Sequence, residues 1–87
     1  MALTDEFAAA QVRVKQLKQT PDASELLELY ALFKQGTVGD VTGERPGMLD
    51  FKGRAKFDAW AGKKGGHKDA SMQSYVDFVQ KLVAKYG

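Results

Sequence analysis

The 87-residue chain has no cysteine, two prolines, one tryptophan and one histidine. Without cysteine there is no disulfide, no thiolate metal site and no cysteine nucleophile, which fits a reducing compartment. His67 stands alone in a Gly-Gly-His-Lys stretch, with no Ser-His-acid order, no HExxH and no metal-ligand spacing to join. Gly36, Gly39 and Gly43 do not follow a strand and form neither GxGxxG nor GxxxxGK[ST], so a phosphate-cradling glycine loop is excluded. No apolar run nears the ~18 residues that a bilayer span requires. The opening MALTDEF carries acids and no apolar signal core, so we expect no secretory leader and a cytoplasmic location. Net charge is only +2 and no segment is dense in arginine, which argues against a nucleic-acid partner.

Helical periodicity is abundant. Leu3, Phe7, Ala10, Val14 and Leu17 recur at steps of four and three, one face of an amphipathic helix. Thr4 is its expected N-cap, Asp5 and Glu6 suit its positive end, and Pro21 lies beyond its stop. Asp22 and Glu25 form a capping box for a second helix, whose expected buried face is Leu26, Leu29, Tyr30 and Phe33, with Gly36 as its stop. Asp50 caps a short third helix from Phe51 to Ala61, in which Gly53 is a weak point or a place of close approach. The fourth helix runs from about Lys68 to Tyr86 on a stripe of Met72, Tyr75, Val76, Val79, Leu82, Val83 and Tyr86. There is no strand pattern and no internal repeat. One all-α domain over residues 1–87 follows, a four-helix bundle.

Between the second and third helices lie 14 residues, Gly36 to Leu49, with no periodicity. Loops that long in small domains are usually functional or disordered. Val38, Val41, Met48 and Leu49 suggest that this one is ordered by apolar contacts. Rings and cations alternate on both sides of it: Tyr30, Phe33 and Lys34 before, Lys52, Arg54, Lys56, Phe57 and Trp60 after. Leu27, Tyr30 and Lys34 share one helical face, as do Lys52 and Lys56. Converging ammonium groups repel unless an anion joins them, and rings stack on bases. The pattern suits a ligand with an aromatic part and a phosphate part, and leaves its identity open. A solvated basic face on a protein-interaction module is the competing interpretation.

The stretch YALFKQGTVGDVTGERPGMLDFKGRAKFDAW strongly resembles the signature of the acyl-CoA-binding protein family, and FAAAQVRVKQLKQTP and MQSYVDFVQKLVAKYG resemble that family's two ends. The resemblance implies an up-down-down-up four-helix bundle without enzymatic activity, a monomeric carrier that binds long-chain acyl-CoA of about C14 to C18 one to one. It implies no cofactor and no metal. Lys34 and Lys56 match lysines on the ribose 3′-phosphate, and Tyr30 the tyrosine whose hydroxyl helps them. Phe33 stands where many members have an adenine-stacking Tyr. Lys15, Lys52 and Tyr75 match further positions around the CoA head, while Ala10, Leu27, Ala31 and Leu32 would line the acyl side. Phe57 replaces a common Trp, and Gly66 and His67 replace a polar cap on the last helix. Transient contacts with acyl-CoA-using enzymes or membranes would accompany delivery.

Overall fold

A computed structural model describes residues 2–87. It contains α1 (Leu3–Lys15), α2 (Ala23–Thr37), α3 (Phe51–Ala61) and α4 (Lys68–Tyr86), and no strand among the described residues. The bundle runs up-down-down-up. α4 packs on α1 and on α2, and α3 packs on α2 alone, so the helices lie in the order α1, α4, α2, α3 across a thin molecule of 37 × 28 × 15 Å.

The core is where α1, α2 and α4 meet: Phe7, Ala10, Leu29, Leu32, Tyr75, Val76, Val79 and Leu82. Val79 and Leu82 are almost wholly covered. Phe7 lies against Phe33, with ring centres 5.9 Å apart, and meets Tyr75 edge-on at 5.0 Å. α2 enters through the expected capping box, in which the Asp22 carboxylate accepts from the Glu25 amide and the Glu25 carboxylate from the Asp22 amide. Asp50 caps α3 by accepting from the Gly53 amide. A Cβ at residue 53 would collide with that carboxylate, so glycine lets the cap close.

Four local expectations are corrected. Thr4 is not the N-cap of α1: the helix already begins at Leu3, and Ala2 occupies the cap position without a side-chain bond. Gly36 does not stop α2. It lies buried inside the helix, where a Cβ would come 3.1 Å from Met72 Cγ, so it permits the close approach of α4. The helix ends one residue later, at Thr37, where the Val38 and Gly39 amides both turn back to the Lys34 carbonyl and Gly39 takes φ +98°. Leu26 is 44% exposed, because no helix covers that side of α2.

The fourth correction concerns the long loop: Val38, Met48 and Leu49 are exposed and do not order it. Polar ties do. The buried Trp60 indole donates to the Gly39 carbonyl at 2.8 Å. Asp40 accepts from Gln35 Nε2 (2.9 Å) and from the Gly65 amide (2.8 Å), and Gln35 Nε2 also donates to the Gly66 carbonyl. Arg45 makes a two-point pair with Asp58 of α3. The C-terminal end of α3 is thus held to the loop that precedes it, and that loop to the one that follows.

Candidate functional site

Two hollows open on either side of Tyr30. The larger, about 510 Å³, lies between the end of α1 and α2 and is lined by Val14, Lys15, Leu26, Tyr30, Phe33 and Tyr75 among others. The smaller, about 380 Å³, is a groove between α2 and α3 lined by Leu26, Leu27, Tyr30, Lys52, Ala55 and Lys56 together with Ala23. Leu26 and Tyr30 belong to both, so the two spaces share a wall. The exposure of Leu26 follows from this: it faces both hollows.

The facing surfaces of α2 and α3 interlock by charge and ring. Tyr30 and Lys34 are four apart on α2, and Lys56 and Trp60 are four apart on α3, so each pair shares a helical face. The Lys56 ammonium lies over the Tyr30 ring, 5.5 Å from its centre, and the Lys34 ammonium lies over Trp60 at 5.0 Å. Each contact contributes about 0.5–1 kcal/mol at an exposed site. Neither lysine has a carboxylate partner among the described residues, and the first turn of α3 holds no acid. Lys52, in the first turn of α3, sits at the wrong end of its dipole, which an anion there would offset.

The expected residues divide into groups. Lys15, Tyr30, Phe33 and Tyr75 meet at the larger hollow; Tyr30 joins Leu27, Lys52 and Lys56 at the smaller. Lys34 lies one turn beyond Tyr30, on Trp60. The other expected acyl-side residues do not share a groove with Leu27. Ala31 is wholly buried. Leu32 lines a separate dent between α2 and α4, beside Glu28 and Phe78, and Ala10 another between α1 and α4, beside Val76. Five residues separate Leu27 from Leu32, which puts them about 140° apart on the helix. Sequence reading passed over Val14, Leu26 and Ala55 as site residues. The helical spacing of Ala55 from Lys52 and Lys56 was the available signal for it.

Carboxylates fasten this frame, and their titration follows from the fastening. Hydrogen bonds from the Gly65 amide and the Gln35 amide hold Asp40 below the usual carboxylate range. Glu25 is lowered by the Tyr86 hydroxyl, the Asp22 amide and Lys85, which joins the start of α2 to the end of α4. Asp58 is lowered by Arg45. A lowered folded pKa contributes stability that is complete above the unfolded value near 4 and is lost as pH falls through the folded value. Lys85 and Tyr86 are raised by the Glu25 hydrogen bonds, and Tyr75 by burial. Their contribution is complete below about 10 and is lost as pH rises further. Urea midpoints are therefore expected to be flat from about pH 5 to 9 and to fall on both sides. A midpoint still unchanged at pH 3 would contradict the ties at Asp40 and Glu25.

Such a molecule is a small helical bundle with open hollows, one of them flanked by lysines, between unequal helices. A family model described as acyl-CoA-binding protein matches residues 4–79. The acyl-CoA-binding protein homolog 1 of Caenorhabditis elegans is 55% identical over 85 residues, covering 98% of this chain and 99% of that protein. The Drosophila melanogaster homolog is 49% identical over 84 residues, covering 97% and 98%. The crystal structure of Oryza sativa acyl-CoA-binding protein 2 superposes with TM-score 0.91 at 38% identity, covering 95% of this chain and 90% of that one. The chain belongs to the acyl-CoA-binding protein family.

Proposed function

We propose that this protein binds long-chain acyl-CoA thioesters and carries them, without catalysis, as a cytoplasmic, water-soluble pool, and that residues 1–87 form its single binding domain. The observation that carries the reading is the wall shared by two dissimilar spaces. One is rich in rings and includes Lys15, the other is apolar with lysines on its rim, and Tyr30 divides them. Acyl-CoA has the same division: a nucleotide at one end, a hydrocarbon at the other and phosphates between. The adenine stacks among Tyr30, Phe33 and Tyr75, with Lys15 beside it. Lys34 and Lys56 leave their rings for the 3′-phosphate, helped by the Tyr30 hydroxyl. The tail follows Leu27 and Ala55, with Lys52 at the rim. Charge-assisted contacts orient the head, and buried methylenes supply the affinity. Relatives named for acyl-CoA binding support the ligand class.

Lys34→Ala or Lys56→Ala is expected to weaken palmitoyl-CoA binding by roughly 1.5–3 kcal/mol, the scale of a hydrogen bond to a charged group. Fold stability changes little, since each lysine gives up only a surface contact with a ring. Isothermal calorimetry checks this, with dephospho-CoA esters and free palmitic acid as controls. Either mutant binding within about twofold of wild type would remove the phosphate assignment. Effective competition by the free acid would make the protein an ordinary fatty-acid carrier.

A further inference from the structure

The first turn of α2 is fastened from the far end of α4. Glu25 completes the capping box at the start of α2, and its carboxylate also takes two side chains from the last turn of α4. Oε1 accepts from the Asp22 amide and from the Tyr86 hydroxyl, and Oε2 pairs with the Lys85 ammonium at 3.0 Å. The Glu25 side chain is only 14% exposed, so water competes weakly for these bonds. Lys85 lies over the Tyr86 ring, 5.0 Å from its centre, so the two α4 side chains reach the carboxylate as one unit. Gly87 lies close to Lys18, three residues beyond α1: a Cβ on it would come 3.0 Å from Lys18 Cδ.

The position of this latch connects it to the ligand site. Ala23 and Leu26, on either side of Glu25, line the α2–α3 groove, and Leu26 is also part of the wall between groove and larger hollow. Neither Lys85 nor Tyr86 lines either space. The first amides of a helix have no partner within it, so the placing of a first turn depends on bonds from outside. Here those bonds converge on one residue. Tyr30 and Lys34 lie five and nine residues further along α2, well past the turn that the latch holds.

We infer that Tyr86 and Lys85 are positioning residues for the tail groove and act through Glu25. By pinning the first turn of α2 they hold Ala23 and Leu26 where a tail would lie. This rests on the acyl-CoA reading for the identity of the guest. A pinned turn is preorganised, whereas a released one has to be ordered when the ligand binds. A break at the end of α4 therefore reaches the ligand without touching it, and it weakens the hold on the tail more than the hold on the head.

The test uses Tyr86→Phe, which removes the hydroxyl and keeps the ring. Calorimetry gives the affinities for palmitoyl-CoA and for free CoA, and hydrogen exchange follows the Leu26 and Leu27 amides without ligand. Palmitoyl-CoA affinity is expected to fall about threefold to tenfold, the scale of one hydrogen bond, while free CoA affinity stays within about twofold. The two amides exchange faster in the variant. In a Glu25→Ala background the same substitution has no further effect, because its partner is gone. Leu82→Ala weakens the core and leaves the latch in place, so it keeps the ratio of the two affinities. An unchanged ratio in Tyr86→Phe would overturn the proposal. So would an equal effect of Tyr86→Phe with and without Glu25, or an equal fall of the ratio in Leu82→Ala, which would make Tyr86 a general support of the fold. If wild type fails to bind palmitoyl-CoA, the carrier reading falls, and unchanged exchange at Leu26 and Leu27 would overturn the latch as well.

Discussion

Binding is expected to strengthen steeply as the acyl chain of the ester lengthens from eight to about sixteen carbons, and then to level off. The α2–α3 groove is apolar along Leu26, Leu27 and Ala55, and each methylene laid into it leaves water. A methylene contributes about 0.8 kcal/mol at best, so eight of them contribute at most about 6 kcal/mol, between four and five decades of affinity. The gain is expected to be smaller, because the groove is open and the tail gives up rotamer freedom. The plateau has a geometric origin. α3 has 11 residues and is therefore about 16 Å long, which bounds the length of chain it can cover. Calorimetry over even-numbered esters, each kept below its micelle concentration, measures the slope. A flat series from the octanoyl ester onward would mean that the tail stays in water and that only the head is bound.

Leu82→Ala is expected to cost about 2–5 kcal/mol, a large share of the 5–15 kcal/mol that holds a typical domain together. Leu82 is 1% exposed and belongs to the core where α4 meets α1 and α2. Shortening it leaves a cavity that rigid helices on either side fill poorly. The informative contrast is Leu26→Ala. Leu26 is equally apolar and also on a helix, but it faces the two hollows, so its loss barely moves the urea midpoint while it weakens acyl-CoA binding. If the two substitutions cost the fold the same, Leu26 belongs to the core and the site has been drawn too wide.

The contrast between those leucines marks what was legible in the sequence. Period and caps placed the helices, because Asp22 with Glu25, Asp50, and the stripe from Met72 to Tyr86 are local signals. Periodicity cannot say which apolar residues on a helix meet protein and which meet ligand, and so Leu26 was placed in the core. Gly36 carries the usual mark of a helix end, but tertiary packing against Met72 overrides it. The order of the long loop was expected for the wrong reason. Its ties from Gln35 and Asp40 to residues 65 and 66 span 25 to 31 positions and follow no repeat. Of the site, Tyr30 and Lys56 meet as their flanking of the loop suggested. Ala10 and Leu32 fall elsewhere because the resemblance named residues without saying which side of each helix they take.

α3 leans on one helix only, while α1, α2 and α4 share the core. Cohesion is therefore unevenly distributed, and the seam between α2 and α3 is its weakest line. Parting that seam disturbs two lysine–ring contacts, the Lys63–Glu28 ion pair and the Gln35 tie to Gly66 but leaves the core of α1, α2 and α4 intact, so it costs less than global unfolding. A guest lodged there would enter and leave by a side door, and a version of this protein with a much tougher core is expected to exchange it just as fast.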